Sequence, residues 1–275
     1  MNIRKIGHNY IIMNKDITIV TCYLNIDKSK HGKQNYKIWI MNYMKIIKNN
    51  NIVIYCNCDN TIRLIDEIRN NYLNKTKIVK INLKNLYTYK YIDYFTKDNK
   101  RDPEKYHVKE LYLIWNNKVA FMYDTFKNNY FDTEYYMWTD IGMLREEGLY
   151  NILNNNEFKC NIEKLNKDKV TLLKLNDFTL DELSYKNAIL PYNYPMGTNR
   201  CGGGAIIASK HIIEKWFNIY YSMLDTFISN DFFAGKDQNI LNNIYIKYGD
   251  DLLNLVEPIN YNLDKWFYLL YYITN

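Results

Sequence analysis

The chain is short of paired cysteine, of long apolar runs and of nucleotide-loop signatures, and each absence removes a class of protein. Its five cysteines, Cys22, Cys56, Cys58, Cys160 and Cys201, are odd in number and form no spaced framework. That speaks against a disulfide-stapled secreted scaffold and for a reducing, cytoplasmic setting. The pair in YCNCDN is spaced CxC with no second pair and no neighbouring His, so the ligand set of a structural zinc site is missing. Cys56 reads instead as the end of a buried strand. Nowhere do about twenty apolar residues run together without charge, and MNIRKIGHNYIIMNKD carries no apolar stretch of secretory length. A soluble protein with no transmembrane segment is therefore expected.

Neither GxGxxG nor GxxxxGK[ST] occurs, which leaves ATP-type and dinucleotide-binding readings without their main support. A dense basic block is also missing, although the net charge is +6 and the pI about 8.8. The lysines are scattered, as on a solvated surface, while the mild positive balance still suits an anionic ligand. A nucleic-acid binder would need Lys and Tyr gathered on one face. The 28 tyrosines are spread through predicted helices and strands alike, so no nucleic-acid partner is expected. Proline numbers only 4, and Ile, Lys, Asn and Tyr abound, the skew an AT-rich genome imposes on surface positions. Those residue types carry little functional weight.

What is there is a globular chain. Its 275 residues, 47% hydrophobic and 24% charged, can bury a substantial core, and no repeat or linker divides them. Apolar periodicity alternates between strand-like and helical, which predicts an α/β fold with a central, mostly parallel sheet flanked by helices. ITIVTCYL at Ile17 to Leu24 has the β-branched content of a doubly covered strand. Ile38, Met41, Met44 and Ile47 recur at helical spacing from Gln34 to Lys48. IVIYC then leads to Asp59, a candidate N-cap for a helix carrying Ile62, Ile65 and Ile68. A third strand, KIVKIN, begins at Lys77. Right-handed crossovers would put the carboxyl ends of these strands on one edge, where ligands bind, so Tyr23, Asn25 and Asn57 gain a favourable position.

Asp102 before Pro103 predicts the start of a long amphipathic helix that carries Lys118. The strand EYYMWTD follows. VTLLKLN at Val170 is a further strand, and Tyr185 to Arg200, with Pro191, Pro195 and Gly197, reads as a long loop. A glycine run then feeds a buried strand, a helix spans His211 to about Ser229, and a last strand lies near LLNLVEP. The closing WFYLLYYITN is short and aromatic; it either docks on the core or makes peripheral contact with a membrane.

Three elements could carry chemistry. WTDIG ends a strand in Asp140, which is either turn chemistry or a carboxylate that binds a divalent cation and, through it, a diphosphate. CGGGAIIAS brings Gly202, Gly203 and Gly204 together, either as a bend or as a floor that lets a sugar-sized ligand approach the backbone. GKDQNIL sets Asp237 and Gln238 at the start of a helix, with Asp237 either a cap or a ligand.

The order of these elements resembles the GT-A glycosyltransferases, and more closely the HtrL/YibB family of bacterial polysaccharide loci and some large DNA viruses. IVTCYLNI with YKIWIMNYM, KELYLIWNNKVAFM, YYMWTDIGMLR, GGGAIIAS and GKDQNIL carry the resemblance, over roughly Thr18 to Tyr261. It implies a single Rossmann-type domain over 1–275, with a nucleotide-binding half at 1–145 and a donor-sugar and acceptor half at 146–275. It also implies transfer of a sugar from a nucleotide-diphosphate donor, UDP-sugar foremost, to a hydroxyl of a glycan or glycoconjugate. Were the gene viral, the setting would be host cytoplasm.

On this resemblance Thr21, Tyr23 and Asn57 would receive the nucleoside, and Lys118 and Arg145 would offset diphosphate charge. Asp237 would bond donor-sugar hydroxyls and Gln238 would sit near the anomeric carbon. Asp140 would bind Mn²⁺ or Mg²⁺. The usual metal motif is DxD, however, and its second acid is replaced by Gly142, so a metal-free route through Lys118 and Arg145 stays open, as does a catalytically inactive adaptor. Asp237 would be the general base of an inverting enzyme or a positioning group of a retaining one.

Overall fold

The computed structural model describes residues 17–26, 31–155, 158–191, 199–259 and 262–275. In chain order the strands are β1 (Ile17–Tyr23), β2 (Asn51–Cys56), β3 (Thr76–Lys80), β4 (Tyr135–Thr139), β5 (Val170–Lys174), β6 (Cys201–Ser209) and β7 (Leu253–Val256). The helices are α1 (Lys33–Ile46), α2 (Asp59–Ile68), α3 (Ile92–Arg101), α4 (Lys109–Asn116) and α5 (Lys118–Asn128), then α6 (Glu147–Asn155), α7 (Leu180–Ser184), α8 (Ile213–Ser229), α9 (Asp237–Tyr248) and α10 (Tyr268–Thr274).

The strands make one seven-stranded sheet in the order β3-β2-β1-β4-β6-β5-β7. Only β6 runs against its neighbours; the other pairings are parallel. Side chains alternate across a strand, and here both faces are covered. Val20 and Cys22 of β1 pack with Tyr55, Phe121, Trp216 and Ile244 on one face. Ile17 and Ile19 pack with Tyr43, Leu153 and Leu270 on the other. The α/β architecture with a mostly parallel, helix-flanked sheet is thus as the periodicity predicts.

Several local expectations give way to side-chain chemistry. In α1 the buried positions are Ile40, Tyr43, Met44 and Ile46, while Ile38 is 47% exposed. The helix turns to set the Tyr43 hydroxyl against Thr139 Oγ1 at the end of β4, a polar anchor that an apolar count passes over. Asp59 does not cap α2: Cys58 is the N-cap residue, without a side-chain bond, and Asp59 pairs with Lys80 at 2.6 Å on the surface. Nor does Asp102 start a helix. It closes α3, and its Oδ1 accepts from the Glu104 amide at 2.8 Å in a turn around Pro103.

The long helix expected there begins only at Lys109 and breaks at Asn117 into α4 and α5. Two buried asparagines explain the break, because their amides serve neighbouring loops. Asn116 Nδ2 donates to the carbonyls of Ala234 and Gly235, and Asn117 Oδ1 accepts from the Thr88 amide. Such bonds compete with helix continuation. The break makes Lys118 the first residue of α5 and not a mid-helix residue.

The glycine run lies within β6 itself. Leu172 pairs with Ile206 but Leu173 with Gly202, so residues 203–205 bulge away from β5 while Ala205 stays paired with Thr139 of β4. The following helix starts at Ile213, two residues later than expected, since His211 turns outward to Glu134 at 3.0 Å. Pro195 and Gly197 of the expected loop lie outside the described residues. The closing tract forms α10, whose Tyr268, Leu269, Leu270 and Ile273 are buried against the sheet. Among the described residues no helix is long and apolar enough to cross a membrane.

Candidate functional site

In this sheet the chain goes outward from β1 through β2 to one side and from β1 to β4 on the other. The order reverses between β1 and β4, and a ligand crevice is expected outside their carboxyl ends. A cavity of about 600 Å³ lies there. Tyr23 and Asn25 reach it from β1, Trp138 and Asp140 from β4, Gly204 from β6, and Asp237 and Gln238 from the start of α9.

Lys118 ties the floor together. Its side chain is 4% exposed, and its Nζ donates to the Gly203 carbonyl at 2.9 Å. The same Nζ lies 2.8 Å from Asp237 Oδ2 and 3.4 Å from Asp140 Oδ1. Burial alone would lower the pKa of this ammonium, but the carboxylates of Asp140 and Asp237 outweigh burial and hold it above its ordinary value. Lys118 is therefore charged and committed to the two acids. It does not stand free for a ligand, as the sequence reading expected, but offsets the repulsion between carboxylates 97 residues apart in the chain.

Asp237 is 2% exposed, and burial raises its pKa, with Lys118 opposing and Asp140 adding to the rise. Its Oδ2 has the ionic contact to Lys118 but no well-aligned hydrogen bond. It does not cap α9 through its side chain; Lys236 is the N-cap residue. Gly203 explains how the acid fits. A Cβ at 203 would lie 3.0 Å from Asp237 Cγ and nearer still to Oδ2. Gly204 faces the cavity, where a Cβ would meet Trp266 O at 3.6 Å, an ordinary contact. Gly202 does not line the cavity and packs against Leu173, its ladder partner next to the bulge.

Asp140 makes the turn and also presents its carboxylate to the cavity. Its backbone makes the turn: the amide donates to Gly204 O at 2.9 Å and the carbonyl accepts from Met143 at 3.0 Å. Its carboxylate is 38% exposed, with Oδ1 taking the Trp138 indole N–H at 3.0 Å. Among the described residues nothing hydrogen-bonds Oδ2. Gly142 also has a physical reason. A Cβ there would come within 3.1 Å of the Trp39 ring, so a second acid at this position would displace the tryptophan.

At the rim, the exposed Arg145 guanidinium sits over Phe267 at 4.7 Å and Trp39 at 5.4 Å, with His31 Nε2 at 3.3 Å. Tyr23 is half-buried, its ring 5.6 Å from that of Tyr36. Two expected residues are one step removed. Thr21 is buried below the cavity and donates to Thr139 O at 2.7 Å, tying β1 to β4. Asn57 braces Asn25 instead of lining the cavity, accepting its amide at 2.7 Å and donating to its carbonyl at 3.3 Å.

Sequence reasoning missed the aromatic lining from Tyr36, Trp39, Trp115 and Trp266, whose spacing is that of ordinary core residues. It also missed His107, five residues beyond an Asp read as a helix start. Asp102, Glu104 and His107 could group around a cation. The atoms that face one another are already engaged: Glu104 pairs with Lys236, Asp102 accepts from Tyr112, and His107 Nδ1 lies on Asp102 Oδ2. Asp140 is the better fit for a hard cation, which takes one or two carboxylates and completes its shell with phosphate oxygens and water.

Fold and site together define an α/β protein with an acid-lined, aromatic-walled cavity at the carboxyl edge of its sheet. The chain belongs to the HtrL_YibB family, described as bacterial proteins of unknown function, whose model matches residues 15–273. No curated protein matches it.

Proposed function

We propose that the protein is a GT-A-like glycosyltransferase that moves a sugar from a nucleoside-diphosphate donor, UDP-sugar foremost, to a hydroxyl of a glycan or related acceptor. One observation carries this reading: Asp140 and Asp237 meet on Lys118 at the floor of the switch-point cavity. A half-exposed acid beside a buried ion pair, with arginine at the rim, supports recognition of a sugar diphosphate.

Tyr23 and Tyr36 offer aromatic faces to a nucleoside base, and Arg145 faces diphosphate charge that grows as the leaving group departs. Asp140 Oδ2 would hold Mg²⁺ or Mn²⁺, which when bound neutralises diphosphate charge. Gln238 offers its amide to the donor sugar. Asp237 acts from beneath the floor, holding Lys118 and the glycine bulge in place. The cavity walls of Trp138, Trp266 and Trp115 exclude water from the reacting sugar.

A second reading, a non-catalytic nucleotide-sugar binder, draws on the glycine at 142, which leaves Asp140 without a second acid two residues on. One experiment separates the two. Purified protein is incubated with UDP-, GDP- and dTDP-sugars, with and without Mn²⁺, and released nucleoside diphosphate is measured. We expect release from at least one donor, higher with Mn²⁺. Binding without release supports the non-catalytic reading, and neither binding nor release refutes both.

A further inference from the structure

We propose that His107 is the general base that takes the proton from the acceptor hydroxyl, with Asp102 as its positioning residue. The inference rests on the glycosyltransferase reading and names the base that reading leaves open.

His107 lies between α3 and α4 and lines the cavity. Its Nδ1 is 2.8 Å from Asp102 Oδ2. Asp102 is 1% exposed and held from three directions: Tyr112 O–H and His107 at Oδ2, and the Glu104 amide at Oδ1. A carboxylate fixed at Nδ1 requires the N–H there and leaves the lone pair on Nε2. Among the described residues nothing hydrogen-bonds Nε2. Edge contacts from Trp115 at 5.0 Å and Tyr106 at 4.5 Å hold the ring in place. A buried Tyr-Asp-His chain that ends on an unbonded imidazole nitrogen in a ligand cavity is a device for proton transfer.

Three other bases of the cavity are less suited, and the Glu146 carboxylate is exposed at the rim next to Arg145. Asp237 reaches the cavity but is only 2% exposed and ion-paired to Lys118, so its carboxylate is committed to that ammonium. Asp264 accepts from the Trp266 amide at 2.9 Å, and His31 lies against Arg145 and Trp39 at the other wall. His107 stands beside the start of α9. Glu104 Oε2 is 3.5 Å from its Nδ1 and pairs with Lys236, the residue before Asp237.

The step balances as a single displacement. The acceptor O–H bond breaks and its proton goes to His107 Nε2. The acceptor oxygen bonds to the anomeric carbon, and the bond from that carbon to the diphosphate breaks, its electron pair leaving on the nucleoside diphosphate. The Asp102 carboxylate then faces an imidazolium. The product is inverted at the anomeric carbon.

The charged and titratable groups around the ring are Asp102, Glu104, Tyr106 and Tyr112, with Lys105 on the Asp102 carbonyl and Lys236 on Glu104. The test compares wild type with His107→Gln, His107→Ala and Asp102→Asn. Donors are UDP-glucose, UDP-galactose and UDP-N-acetylglucosamine, with water or lactose as acceptor, and UDP binding is measured alongside by calorimetry. We expect kcat to fall about 10²- to 10⁴-fold in the His107 variants with UDP affinity unchanged. Added imidazole should restore part of the His107→Ala rate, and the product should be inverted by NMR.

Wild-type kcat in His107→Gln, or a product of retained configuration, overturns the assignment while the transferase reading stands. UDP bound by wild type without any turnover also overturns it. No nucleotide binding at all overturns both. If Asp102→Asn fails to fold, imidazole rescue of His107→Ala still decides the matter.

Discussion

Replacing Lys118 by methionine is expected to destabilise the protein by about 3–5 kcal/mol, the usual result of leaving a buried charge without its partner, and to abolish turnover. Methionine keeps most of the volume, so the loss reports charge and not a cavity. Without the ammonium, Asp237 is left buried beside Asp140, and both burial and Asp140 push its pKa up. The sign of the pH dependence follows. A carboxyl whose folded pKa lies above its unfolded value, near 3.8, favours the fold below that value and loses this contribution as pH rises through the folded pKa. The defect of Lys118→Met should therefore deepen from acid toward neutral pH. Adding Asp237→Asn should recover much of the stability, because removing both partners of a buried pair costs far less than removing one. Urea unfolding of wild type and the two variants between pH 4 and 8 checks this. A single variant within about 1 kcal/mol of wild type, with no gain in the double variant, would remove Lys118 from its central place.

Gly203→Ala should also be damaging, through one methyl group. The new Cβ has no room beside Asp237, whose carboxylate is fixed at the start of α9 and under Lys118. Either the bulge or the helix start must move. Overpacking of this kind costs about 1–3 kcal/mol, and displacement of a site by about 1 Å can cost on the order of 10²-fold in rate. Gly204→Ala is the internal control, since its Cβ meets only ordinary contacts at 3.6 Å and beyond. Thermal unfolding should separate the two alanines clearly. Equal melting temperatures would show that the close approach of Asp237 to the strand does not constrain the site.

The sequence made the parallel half of the sheet legible because buried strands there are β-branched and bounded by turn residues, as in Ile17–Tyr23 and Asn51–Cys56. It also made Asp140, Gly203, Gly204, Asp237 and Gln238 legible as one neighbourhood, through the order of three short tracts. What it concealed was where side chains spend their hydrogen bonds. Asp102 looks like a helix cap and instead orients a histidine. Asn116 and Asn117 look like neutral helix positions and instead break the helix, which brings Lys118 to a helix start. Lys118 was expected to meet a ligand and instead meets two acids, a difference only the fold reveals. Asn57 and Thr21 show the same limit, for each lies within a residue or two of a strand's carboxyl end, yet one braces a loop and the other links two strands. The glycosyltransferase resemblance would put a second acid at Gly142, and what crowds that position, a tryptophan ring on α1 about a hundred residues earlier, has no local trace.

Calorimetric titration of UDP into wild type and Asp140→Asn, each with and without Mn²⁺, tests most directly whether this cavity binds a nucleoside diphosphate with Asp140 as the metal-side ligand. We expect micromolar binding to wild type that weakens at least tenfold without Mn²⁺, and an Asn variant whose weaker affinity no longer responds to the metal. UDP binding that is identical in all four titrations, or absent from wild type in the presence of Mn²⁺, would contradict the account.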